Sequence, residues 1–155
     1  MKSTIKIRGR YKLDIRDKNG VLRDTTGWRK NTITNASLAA FSGLAGNTGT
    51  QVAFTYLAVG TDATAAAAAQ TALIAETVTA GLERAAATVT RTTTTQTNDT
   101  LQLVHEWTAT GTIAVEEIGV FNASSAGVMA CRSVTGTKTV NDTETMTGTY
   151  QIIFS

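Results

Sequence analysis

The chain has no proline, one cysteine, one histidine and few aromatic residues, 6% of 155. Each scarcity excludes something. Cys131 alone cannot close an internal disulfide, which predicts folding in a reducing cytoplasm. One His and one Cys, with no Cys-x-x-Cys pair, are too few for the usual zinc patterns, so neither a metal nor a cofactor is expected. No Gly-rich phosphate or dinucleotide loop is present. No apolar run approaches the roughly 18 residues of a membrane span, and the charged start lacks a secretory pattern. Mucin-like stalks carry Pro among their Ser and Thr, so the missing proline argues for ordered strands in the Thr-rich stretches.

Catalytic groups are equally sparse. His105 beside Glu106 is the only acid–base neighbour pair containing a histidine. Adjacent strand residues point to opposite faces, so the two cannot cooperate, and His105 is read as a core or half-buried histidine. Glu116 and Glu117 fail as a carboxylate pair for the same reason: one is expected in solvent, the other at an interface or in a salt bridge. No catalytic residue is assigned, and the chain is read as a non-enzyme.

What is abundant is threonine, about a fifth of the chain and dense over 91–97 and 135–149. Its β-branched side chain suits a pleated, half-exposed sheet and suits helices poorly. The clearest pattern is Ile5–Arg16. Ile5, Ile7, Tyr11, Leu13 and Ile15 take odd positions, with Gly9 as the one gap, while Lys6, Arg8, Arg10, Lys12 and Arg16 take even ones with Asp14. Period-two alternation predicts a strand with an apolar face and a cationic face. Charge is segregated along the chain as well. Residues 1–34 hold ten Lys and Arg against three Asp, a surplus of seven positive charges; the rest holds four against nine, a surplus of five negative. Such a basic end can meet nucleic acid, an acidic protein surface or another copy of the chain. Single-strand binders interleave stacking aromatics with cations, and Tyr11 falls on the opposite face. Lys6, Arg8, Arg10, Lys12 and Arg16 are therefore the candidate protein-interface residues, and nucleic acid is disfavoured.

The remaining elements read as mostly β. Asp17-Lys18-Asn19-Gly20 predicts a hairpin turn with Val21–Asp24 returning, so that 1–27 forms an N-terminal basic hairpin within a single domain over 1–155. Thr34 or Asn35 caps a helix running through Ser37 and Leu38 to Leu44, with Leu38 and Phe41 on one side and Gly43 and Gly46 ending it. Val52–Val59 is a buried strand, and 65–74 is either a short helix or an ordered surface loop. Leu82–Thr95 and Leu101–Thr110 form a hairpin about Asn98-Asp99; Ile113–Phe121 pairs with Val128–Val134; Glu144–Ser155 is the last strand. Seven or eight strands with one or two short helices predict an antiparallel β-sandwich.

Four segments also carry a resemblance. Trp28–Ala40 (with Asn31-Thr32-Ile33-Thr34-Asn35-Ala36-Ser37-Leu38), Phe54–Thr61, Gln70-Thr71-Ala72-Leu73 and Val115–Phe121 occur in the order of similar motifs in small virion structural proteins of tailed bacteriophages. The likeness spans about residues 8–155. Ser37 and Asp62 stand where that family often has Gly. Its members are head-associated or tail-fibre-like. The resemblance implies a virion structural protein, assembled in the bacterial cytoplasm with capsid or tail proteins as partners. A compact basic module favours capsid decoration as a small homo-oligomer, a trimer first, and a tail-fibre, collar or baseplate adaptor second.

Overall fold

The computed structural model describes residues 4–155. Met1, Lys2 and Ser3, the start of the basic 1–27 segment, lie outside them. The chain forms two antiparallel sheets packed as a β-sandwich. Eight strands have four residues or more: β1 (Ile7–Arg16), β2 (Leu22–Thr25), β5 (Tyr56–Gly60), β7 (Thr88–Thr92), β8 (Thr100–Thr108), β9 (Ile113–Phe121), β10 (Met129–Val140) and β11 (Thr145–Phe154). Three two-residue strands complete the set: β3 (Arg29–Lys30), β4 (Thr32–Ile33) and β6 (Ala85–Ala86). The first sheet runs β2-β1-β11-β8-β7, with β3 also on β1; the second runs β4-β10-β9-β5-β6.

Alternation places the core between the sheets. Tyr11, Leu13 and Ile15 of β1, Leu103 and Trp107 of β8, and Met146, Tyr150 and Ile152 of β11 face Leu57 and Val59 of β5, Val115, Ile118 and Val120 of β9, and Cys131 and Val140 of β10. At about 25 cal/mol per Å² of apolar area removed from water, this shared layer is the main source of stability. Val115 and Ile118 are both inward although three residues apart. The alternation of β9 slips there, opposite a bulge of β10 over residues 135–137 in which Gly136 takes φ +64°. The 17–20 turn forms differently from a two-residue Asn-Gly hairpin: only Gly20 has positive φ, and the Asp17 carboxylate accepts the Asn19 and Val21 N–H groups.

The single helix, α1 (Asn35–Gly46), starts at Thr34, whose Oγ1 accepts from Ser37 N and donates to the Met129 carbonyl. It runs through both glycines and ends at Asn47, in the left-handed region at φ 48°. That anchor seats small Ser37 and Ala40 against the sheets and sends Leu38 outward, contrary to the expected Leu38–Phe41 face. Phe41 does pack inward, on Phe54 and Phe154. The expected strand over 52–59 begins only at Tyr56, with Phe54 buried ahead of it. The 65–74 run is a loop: its alanines offer no apolar face wide enough to hold a helix against the sheet.

That loop belongs to a strap, residues 61–84, across the outer face of the second sheet. Leu73 packs with Ala58, Phe121 and Met129. Beside it Glu117 and Arg132, both with fully buried side chains, pair at 2.7 Å. Glu117 also accepts the Ile74 and Ala75 N–H groups, and Arg132 donates to the Thr64 carbonyl and the Gln70 side chain. A Cβ at Gly60 would overlap the Glu117 carboxylate, and one at Gly119 would press on Leu73. Ala58, Gly60, Leu73, Glu117, Gly119 and Phe121 thus meet here, as the parts that fasten the strap.

Candidate functional site

Arg8, Arg10, Lys12 and Arg16 lie with Asp14 on the outer face of the first sheet, opposite the core-facing Tyr11, Leu13 and Ile15. Lys6 precedes β1 and is tied to Ser155 by backbone bonds in both directions. Register continues the face sideways: Arg10 is opposite Gln151, and Gln151 opposite Gln102. The three are joined by side-chain bonds, Arg10 Nε donating to Gln151 (2.6 Å) and Gln151 to Gln102 (2.7 Å). Around this ladder the face presents Thr147 and Thr149 of β11 and Thr88, Thr90 and Thr92 of β7.

The five candidates are not equivalent. Lys12 is bridged to Asp14 at 2.6 Å. Burial works to raise the Asp14 carboxyl, but bonds from Lys12 and Thr25 outweigh it and hold the group below the usual carboxylate range. Arg16 donates to the Gly20 carbonyl within its own hairpin. Arg8 touches only the Ser155 hydroxyl, and neither Arg8 nor Arg10 pairs with a carboxylate among the described residues. Uncompensated positive charge therefore concentrates toward the N-terminal half of β1.

Two further residues join it that alternation in β1 could not reveal. β3 pairs with β1 so that Lys30 stands directly opposite Arg10. Trp28, 44% exposed, lies with its ring centroid 4.6 Å from the Arg10 guanidinium carbon and 5.9 Å from the Lys12 ammonium. The missing aromatic thus arrives from the residue just before β3, as a single ring and not a row.

Gly9, the gap in the alternation, is also explained. A Cβ there would overlap the side chain of Asn31, which crosses β1 at that point. Asn31 Nδ2 donates to the Tyr150 hydroxyl at 2.8 Å, inside a buried group that includes Ser133 and Cys131. Burial pushes the Cys131 thiol far up, so it is held as a neutral, inert group.

The acidic remainder of the chain is less available than its count implies. Asp62, Glu76, Glu117 and Glu144 are engaged in internal ion pairs, and Asp99 accepts backbone N–H groups in a turn; within the basic end, Asp14 and Asp24 are ion-paired and Asp17 accepts backbone N–H groups. Glu116 binds Thr137 while Glu117 is buried, which is the division expected of that pair. His105 is half-buried against Trp107, and burial lowers its pKa. Among the described residues no three His, Cys, Asp or Glu side chains are grouped to hold a metal ion, and no helix is long and apolar enough to cross a membrane. Comparisons with protein-family models, with curated proteins and with solved structures gave no match to the chain.

Proposed function

We propose that the protein is a structural component of a tailed-bacteriophage virion, a capsid decoration protein that docks through the outer face of its first sheet. The observation that carries docking is the uncompensated cationic end of that face, Arg8, Arg10 and Lys30, on a framework braced by the Arg10–Gln151–Gln102 ladder. A sheet face of this kind holds its charges in fixed register, which favours a protein surface bearing carboxylates at matching spacing. The virion setting rests on the resemblance of the four ordered motifs; three of them meet at the strap on the second sheet, and the first sheet's outer face stays open.

The partner's acidic groups are assigned to a capsid surface and not to a second copy, because six of this chain's twelve carboxylates are ion-paired within it and Asp17, Asp99, Glu106 and Glu116 already accept hydrogen bonds. Binding only to the assembled shell stabilises the particle by mass action. Mixing purified protein with undecorated heads should give saturable binding at a fixed copy number per capsomer, weakening as salt rises. Absence of binding to heads, with co-purification on isolated tails, would replace decoration by a tail adaptor role.

A further inference from the structure

Next to the ladder, β3 stops after two residues and the chain leaves β1 at Lys30 to cross to the second sheet at Ile33. The departure opens a cleft of about 570 Å³, a volume suited to a bound group and not only to water. Its walls have two characters. Arg8, Arg10 and Lys30 supply positive charge, Ile7, Ile33 and Ile153 supply apolar surface, and no Asp or Glu lines it.

The charges are arranged against their own interest. Like charges directly opposite across two strands destabilise a sheet, and Arg10 and Lys30 occupy such a pair, with Arg8 two residues along the same face. Nothing among the described residues neutralises them: Arg10 and Arg8 each have one side-chain hydrogen bond, to Gln151 and Ser155, and Lys30 has none. Most guanidinium N–H donors of both arginines thus remain available. The Arg10 guanidinium lies over the Trp28 ring, a cation–π contact that restrains it. An oxyanion placed between the three cations would remove the repulsion, and the planar forks of two arginines suit carboxylates.

We infer that this cleft seats an acidic, partly apolar peptide segment of the docking partner, with its carboxylates on Arg8, Arg10 and Lys30 and its apolar side chains on Ile7, Ile33 and Ile153. The inference rests on the docking reading and gives it a specific seat. The isoleucine walls favour a peptide over a nucleic-acid backbone, which would leave them exposed to no use. Trp28 supplies the readout, since it is half-exposed beside the cleft whereas Trp107 is buried with its Nε1 bonded to the Glu83 carbonyl.

The probe is a short synthetic peptide of alternating Glu and Leu, titrated against the whole chain while Trp emission is followed, with Trp28→Phe removing the signal. Its Gln–Leu counterpart, inorganic phosphate and an oligo-dT strand are run beside it. The Glu–Leu peptide should saturate. The Arg8→Gln/Lys30→Gln variant should bind it about tenfold or more weakly, and Arg16→Gln should match the unchanged chain. Lys30→Gln alone serves if the double variant does not fold, since Lys30 makes no side-chain bond among the described residues. Equal binding of the Gln–Leu peptide, tighter binding of oligo-dT or phosphate, or an equal loss in Arg16→Gln overturns the inference. Heads that bind the protein while the peptide fails to titrate would remove the cleft assignment and leave docking in place. A peptide that titrates while heads and tails do not bind would remove the virion reading and leave the cleft.

Discussion

Arg132 and Glu117 illustrate how single residues hold this fold. Two charges with no exposed side-chain surface are costly to bury, and they are tolerated because each also satisfies the strap: Glu117 accepts the Ile74 and Ala75 N–H groups and Arg132 donates to Thr64 and Gln70. Removing one partner would leave the other buried and uncompensated. Glu117→Ala should therefore destabilise the protein by about 3–5 kcal/mol in chemical denaturation and expose 61–76 to limited proteolysis. A loss below about 1 kcal/mol with the strap still protected would mean the pair is not what fastens it. The pair was only half legible in the sequence. That one of Glu116 and Glu117 would be buried followed from strand geometry. Its partner, fifteen positions away on a neighbouring strand, depended on the register of β9 and β10, which an irregularity between Met129 and Cys131 shifts.

At the scale of elements, β1 is the part that the residue pattern described best, because alternation with one buried face determines both register and orientation. The helix was placed well at its capped start. Its rotation was not legible, since it follows from the tertiary anchor of Thr34 on Met129. Trp28 was missed for a related reason: its position over Arg10 depends on β3, a two-residue strand too short to give any periodic signal. β2, at the edge of the first sheet, is held by charge. Arg23 pairs with Glu144 in the turn before β11, and Asp24 with Lys138 of β10.

Both carboxyls are lowered, each chiefly by the bond from its cationic partner, from ordinary values of 4.5 for Glu144 and 3.8 for Asp24. A depressed folded value means the unfolded chain takes up the proton first on acidification. The stabilisation is fully present above about pH 4.5 and is lost as pH falls through the lowered folded values. Thermal midpoints taken from pH 6 down to pH 2 should show this loss. Glu144→Gln should begin lower at pH 6 and fall less steeply below pH 4.5; parallel curves for the two proteins would contradict the contribution of the Arg23–Glu144 pair.

For the whole molecule, the two outer faces divide the labour. The second sheet's outer face is covered by the strap, fastened by Leu73 and by the Glu117–Arg132 pair. The first sheet's outer face stays open and carries a cationic end with no internal answer. The segregation of charge along the chain was visible before folding. What folding alters is the other half of the bookkeeping: six of the twelve carboxylates are ion-paired inside the molecule, whereas Arg8, Arg10 and Lys30 at the basic end pair with none among the described residues. The most direct measurement is the binding of an Arg8→Glu/Arg10→Glu variant to undecorated heads, with circular dichroism and thermal melting recorded on the same sample. The docking account predicts a folded variant whose binding is weakened by about tenfold or more. A folded variant that decorates heads as well as the unchanged chain would contradict it, and so would a variant that unfolds, which would make the cationic face part of the framework.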